Sequence, residues 1–259
     1  MRDRFASRPA PRAAGRSLRR WFACGLAVLL ACAALAGDPA RAAEAEISAA
    51  PPPTSAAREA IERLHATLLG AMKEADALGF QDRLERIRPT LLDLYDFAFM
   101  AEKSVGLGWR ELDDDGRARL VDAFSRLAIA TYAARFDGHD GARFETLGVQ
   151  PASHGTVLVK TRIVRGSGET VALDYRMRVL EGSWRIIDVF MNGTVSELAL
   201  RRSEYSGILK RQGFDALLDA IEQKIAAQER GAARASGSRS RSPRASGSAA
   251  RGGGVWTPG

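Results

Sequence analysis

Cysteine is almost missing from this chain: Cys24 and Cys32 are the only two in 259 residues. Both fall in an N-terminal stretch that reads as an export signal. The remainder therefore offers no disulfide, no thiolate nucleophile and no Cys-based metal site. Histidine is nearly as scarce. His65, His139 and His154 are dispersed, two of them beside Gly in expected loops, and no i,i+4 pair suits a metal. Long apolar runs are lacking too. The one candidate, Trp21 to Ala36, is shorter than the ~20 residues a membrane span needs. No set of nucleophile, base and acid stands out, so neither a catalytic nor a metal site is expected, and no cofactor.

A high pI near 9.9 points toward nucleic acid until the charge is located. Residues 1–42 carry eight Arg against two Asp, net +6. Residues 230–259 carry six Arg and no acid, also net +6. Removing both from the total of +7 leaves −5 for residues 43–229. An acidic centre is a poor partner for phosphate backbones, so no nucleic-acid role is expected.

The first 42 residues look like an address. A basic start, the apolar run and the small-residue site Ala40-Arg41-Ala42 form a secretory signal peptide, and an exported, periplasmic protein is expected. Arg19-Arg20-Trp21-Phe22 has a twin-arginine look. Leu29-Leu30-Ala31-Cys32 resembles a lipobox, which would lipidate Cys32 in competition with cleavage near Ala42. Residues 43–55, with Pro51-Pro52-Pro53, read as a linker. Residues 56–229 fit one domain, and the Ser/Arg/Gly-rich segment 230–259 reads as a disordered basic tail.

Within the domain the apolar period changes once. Thr54-Ser55 can cap a helix to about Leu78, with Ile61, Leu64, Leu68, Met72 and Ala75 on one face. A short helix from Gln81 to Arg88 is expected to yield at Pro89 to another containing Phe97. Asp113 to Asp115 then supply the cap and first-turn acids of a long helix to Phe136, faced by Leu120, Phe124, Leu127 and Thr131.

From Arg143 the period is two. Residues 144–149, 156–164, 170–180 and 183–191 read as four strands, joined by turns at Gly166-Ser167-Gly168 and Glu181-Gly182. Val171, Leu173, Tyr175, Met177 and Val179 share one face of the third strand. In the fourth, Trp184, Ile186 and Phe190 share a face. Thr194-Val195-Ser196-Glu197 matches a capping box opening a helix that Gly213 stops. Asp215 can cap the last one. The expected class is α+β: a four-stranded curved antiparallel sheet with helices packed over one face.

This order of elements, with WRELDDDGRARLVDAFSRLAIATYAARF before the strands and WRIIDV then GTVSELALRRSEYSGILKRQGFDALLDAIEQK after them, resembles the MlaC family. These are periplasmic lipid-binding components of ABC-type phospholipid transport, also called toluene-tolerance auxiliary proteins. The wording from Gly193 to Tyr205 is similar to the HpnM branch, associated with hopanoids. The resemblance covers roughly residues 56–227. It implies a deep apolar cavity for lipid chains, a phospholipid or hopanoid ligand, and shuttling between an outer-membrane complex and an inner-membrane transporter, with the chain as a monomer.

Physics agrees with a carrier, since hiding each CH2 from water is worth ~0.8 kcal/mol and needs no special chemistry. The expected wall from the sheet is Val157, Val159, Ile163, Val171, Leu173, Tyr175, Met177, Ile186 and Phe190. Phe97, Phe124, Leu127 and Tyr132 would join it from helices, and Arg201, Arg202 or Lys210 could meet a head group. Two other readings remain. One is a pocket enzyme on an apolar or isoprenoid lipid, using Asp188, Asp174 or Tyr175 for proton abstraction. The other is a membrane-tethered interaction protein lipidated at Cys32.

Overall fold

Three turns built on pairs of left-handed residues join strands of the sheet. In the computed structural model, which describes residues 52–241 with side chains to residue 235, His154-Gly155, Glu181-Gly182 and Asn192-Gly193 all have positive φ. Paired left-handed residues turn antiparallel strands tightly with the right twist. The strands β1 (Arg143–Ala152), β2 (Thr156–Val164), β3 (Thr170–Leu180) and β4 (Ser183–Met191) follow in sequence order. A fifth, β5 (Val195–Ser196), pairs with β4, so the sheet has five strands and not the four expected. Two residues are too few to show an apolar period, which is why β5 escapes pattern reading. The expected signal peptide and the tail beyond residue 241 lie outside the described residues.

The helices are α1 (Thr54–Lys73), α2 (Phe80–Leu94), α3 (Phe97–Val105), α4 (Asp114–Arg135), α5 (Glu197–Gln212) and α6 (Phe214–Arg241), with a 3-10 turn at Gly106–Glu111. Several boundaries differ from expectation for identifiable reasons. Pro53, not Thr54 or Ser55, occupies the start of α1. Pro89 sits inside α2 rather than opening a new helix. The break comes at Tyr95 and Asp96, where the Asp96 carboxylate caps α3 by accepting from the Phe99 N–H at 3.0 Å. Ser196, not Thr194, caps α5. Segment 230–241, expected to be tail, continues α6. Its Ala and Arg favour helix, and Ala232 is buried.

Helices cover one face of the sheet unevenly. α1 lies directly against β1, β2 and β4, while α2, α3 and α5 meet β4. α4 packs chiefly on α2, α3 and α6. Its position is pinned at both ends. Asp113 caps its start, and Arg126 reaches Glu222 of α6 at 3.0 Å. Near its end, the buried Arg83 of α2 donates to the Ala133 carbonyl at 3.0 Å. That arrangement holds α4 over the sheet as a roof.

Candidate functional site

Under that roof the molecule is hollow. A cavity of about 370 Å³ lies between α4 and the β2–β4 part of the sheet, at the small end of the ~300–1,000 Å³ usual for ligand pockets. α4 contributes Phe124, Leu127, Ala128, Thr131 and Tyr132. The sheet contributes Ile163, Val171, Leu173, Val189 and Met191, and Met72, Tyr95 and Met100 close the inner side. Most of this wall can contact only hydrocarbon. A hydrocarbon chain entering it exchanges water for dispersion contacts with this wall.

Two sets of polar groups interrupt the wall. The first is internal. The Tyr95 and Tyr132 hydroxyls hydrogen-bond each other on the wall, and behind it, in the packed core, His65 Nε2 lies 3.3 Å from the Tyr175 hydroxyl. His65 also stacks on Phe144 at 4.3 Å between centroids. Burial lowers its imidazole to about 4, so it is neutral near pH 7. Burial likewise pushes the Tyr132 phenol up to about 12. The second set is charged: Arg135, Asp137, Asp140, Arg165, Glu197 and Arg201. Glu197 pairs with Arg135 at 3.4 Å and with Arg201 at 3.9 Å. Beneath them Tyr205 is fully buried, and burial pushes its phenol up to about 12 despite the neighbouring Arg201.

The model of the MlaC protein family matches residues 62–223, more than half of the 259-residue chain and every element from within α1 to within α6. The chain belongs to the MlaC family. Among solved structures it is similar to a phospholipid-binding protein from Ralstonia solanacearum, determined in complex with a phospholipid. The two share 19% identity over 66% of this chain and 97% of that one, with a TM-score of 0.58, which shows a common fold. No curated protein matches the chain.

The residues expected to line the pocket of this MlaC member divide cleanly. Ile163, Val171, Leu173, Phe124, Leu127 and Tyr132 lie on the cavity. Val157, Val159, Tyr175, Met177 and Ile186 belong to the close-packed core instead, as does Phe97, which stacks on Tyr95 at 5.2 Å. Phe190 points the other way. The pairing of β3 with β4 skips Ile187: Arg176 faces Asp188, whereas Met177 faces Ile186. That bulge inverts the alternation, so Val189 and Met191 take the inner face and Phe190 pairs with Asp174. Val189 and Met191 were thus missed, as were the helix residues Met72, Met100 and Tyr205. Only the bulge hides the first two from a period-two reading.

The charged residues sort similarly. Arg201 lines the cavity, while Arg202 and Lys210 do not. Asp188 has its carboxylate committed to structure, accepting from Val189 N at 2.8 Å, Ser196 Oγ at 2.6 Å and Leu198 N at 3.0 Å. Burial raises its pKa despite those bonds. Asp174 accepts from the Lys160 ammonium and the Thr161 N–H. Neither acid lines the cavity.

Proposed function

We propose that this MlaC-family chain is an exported lipid carrier, holding the apolar part of a phospholipid in the cavity beneath α4 and moving it between membranes. The observation that carries the reading is the cavity itself. Its wall is hydrocarbon from helices and sheet, and charge is confined to a few residues, which is the distribution an amphiphile needs. The phospholipid held by the Ralstonia solanacearum protein supports the same ligand class. Export rests on residues 1–42, whose pattern is that of a cleaved signal. Exchange with an outer-membrane complex and an inner-membrane ABC-type transporter completes the proposed route. A hopanoid, indicated by the wording from Gly193 to Tyr205, is the competing cargo.

The test is to purify the protein without added lipid and identify co-purifying molecules by native and lipid mass spectrometry. One phospholipid per chain is the expected result. A hopanoid at that stoichiometry would keep the carrier and change its cargo. A protein that stays empty, and extracts no lipid from vesicles, would overturn the carrier reading.

A further inference from the structure

Glu197, Arg201 and Tyr205 recur every four residues along α5, so they stack on one face of the helix, and all three line the cavity. Arg135 reaches the same place from the last turn of α4. One carboxylate therefore spans two guanidiniums, at 3.4 Å and 3.9 Å. Charge-assisted hydrogen bonds normally close to ~2.7–2.9 Å. Glu197 and Arg201 nonetheless retain only 18% and 15% side-chain exposure, so water does little to compensate them. Tyr205, one turn further in, is fully buried, with its hydroxyl beside the Arg201 guanidinium. The N-terminus of α5 is not available to an anion, because the Leu198 N–H donates to Asp188 and the Ala199 N–H to Ser196. Arg165 is paired with Glu169 at 3.7 Å.

We propose that Arg135 and Arg201 form an anion subsite on the cavity, in which the phosphate of an amphiphilic ligand replaces the Glu197 carboxylate between the two guanidiniums and accepts from the Tyr205 hydroxyl. The inference rests on the lipid-carrier reading and adds the polar end of the ligand to it. A phosphate presents enough oxygens to take both planar guanidiniums and a hydroxyl at once, which a single carboxylate does not. Glu197 acts as a placeholder: it limits the repulsion between two poorly solvated cations while the site is empty. Asp137 and Asp140 also line the cavity and oppose an anion, so the preference for phosphate is about tenfold rather than thousandfold.

The test compares dodecyl phosphate with dodecanol, which share a tail and differ at the head. The wild-type protein should bind the phosphate about tenfold more tightly. Arg135→Gln with Arg201→Gln should erase that preference while leaving dodecanol affinity within threefold, which also shows that the cavity is intact. Glu197→Gln should raise phosphate affinity severalfold, a gain that misfolding cannot imitate. Tyr205→Phe should lower it severalfold while leaving dodecanol affinity within threefold. Equal binding of the two probes by wild type, or a preference that survives in the double variant, overturns the subsite but leaves the carrier reading standing. Inorganic phosphate displacing dodecyl phosphate at comparable concentration also overturns it, because the site would then read a free anion. Failure to bind either probe overturns the carrier reading itself.

Discussion

The inner face of the sheet is one continuous apolar surface, yet its two halves do different things. Where α1 lies on it, Val159, Tyr175, Met177 and Ile186 are fully buried and the space is filled by Ile61, Leu64 and Leu68. Where α4 covers it, Ile163, Val171, Leu173, Val189 and Met191 look into a void. Composition hardly distinguishes the halves: Val, Ile and Met recur in both, with Tyr175 in the filled one and Leu173 in the hollow one. The difference is the distance of the covering helix. α1 lies against β1, β2 and β4, whereas α4 is held chiefly on α2, α3 and α6. A binding cavity is thus made by a helix bound to other helices, and the sheet needs no special residues to become a pocket wall.

The largest expected effect breaks the filled half. Ile186→Ala removes a fully buried side chain from a packed region and should cost ~2–5 kcal/mol by chemical denaturation. Val171→Ala, on the hollow half, should cost under ~1.5 kcal/mol, because it only enlarges space that is already empty. Equal costs would mean that the two halves are packed alike. A second effect comes from His65, on α1 in the filled half. Its folded pKa of about 4 lies below the ordinary 6.5, so the unfolded chain binds the proton first as pH falls. Its contribution is present above about pH 6.5 and drains away down to about pH 4, a loss of about 3 kcal/mol over that window. Unfolding free energy measured from pH 7 to 4 should fall accordingly, and the His65→Phe variant should show a shallower slope.

How much of this was legible in the sequence follows from the same comparison. β2, β3 and β4 have the ends that alternation predicts, because a sheet with one buried face repeats every two residues and says so. The inner face of β3 was legible residue by residue. The inner face of β4 beyond Ile186 was not, since the bulge at Ile187 shifts the parity and no residue type announces it. Asn192-Gly193 was a readable sign of a further hairpin, and hence of β5. The hollow was beyond reach for another reason. Periodicity identifies which face is covered, but the gap beneath α4 depends on Arg126 meeting Glu222, 96 residues away, and on Arg83 meeting the Ala133 carbonyl. Long-range contacts between helices leave no local pattern.

A change that fills the hollow sharpens the contrast with less effect on stability. Ala128 stands on the α4 wall of the cavity. Ala128→Phe should place its ring in the void, lowering affinity for a bound acyl chain at least tenfold, about 1.4 kcal/mol, with little change in unfolding free energy. The same enlargement at Ala60, on α1 in the filled half, should be destabilising by ~1–3 kcal/mol, as overpacking is. Affinity unchanged by Ala128→Phe would show that the ligand lies elsewhere.

The smallest effect concerns the roof. Arg126 is bound within α4 to Asp122 at 2.7 Å and across to Glu222 at 3.0 Å, with its side chain about one third exposed. Solvent screens such a cluster, so Arg126→Gln should lower global stability by no more than ~1 kcal/mol. Its consequence should instead be local. With the tie to α6 cut, amide hydrogens of α4 should exchange faster while those of α1 keep their protection. Ligand release that quickens in parallel would show that α4 lifts when the ligand leaves. Exchange that rises equally in α1 and α4 would mean that the roof and the filled half open as one unit, and the division between them would fail as a description of the motion even though it holds for the packing.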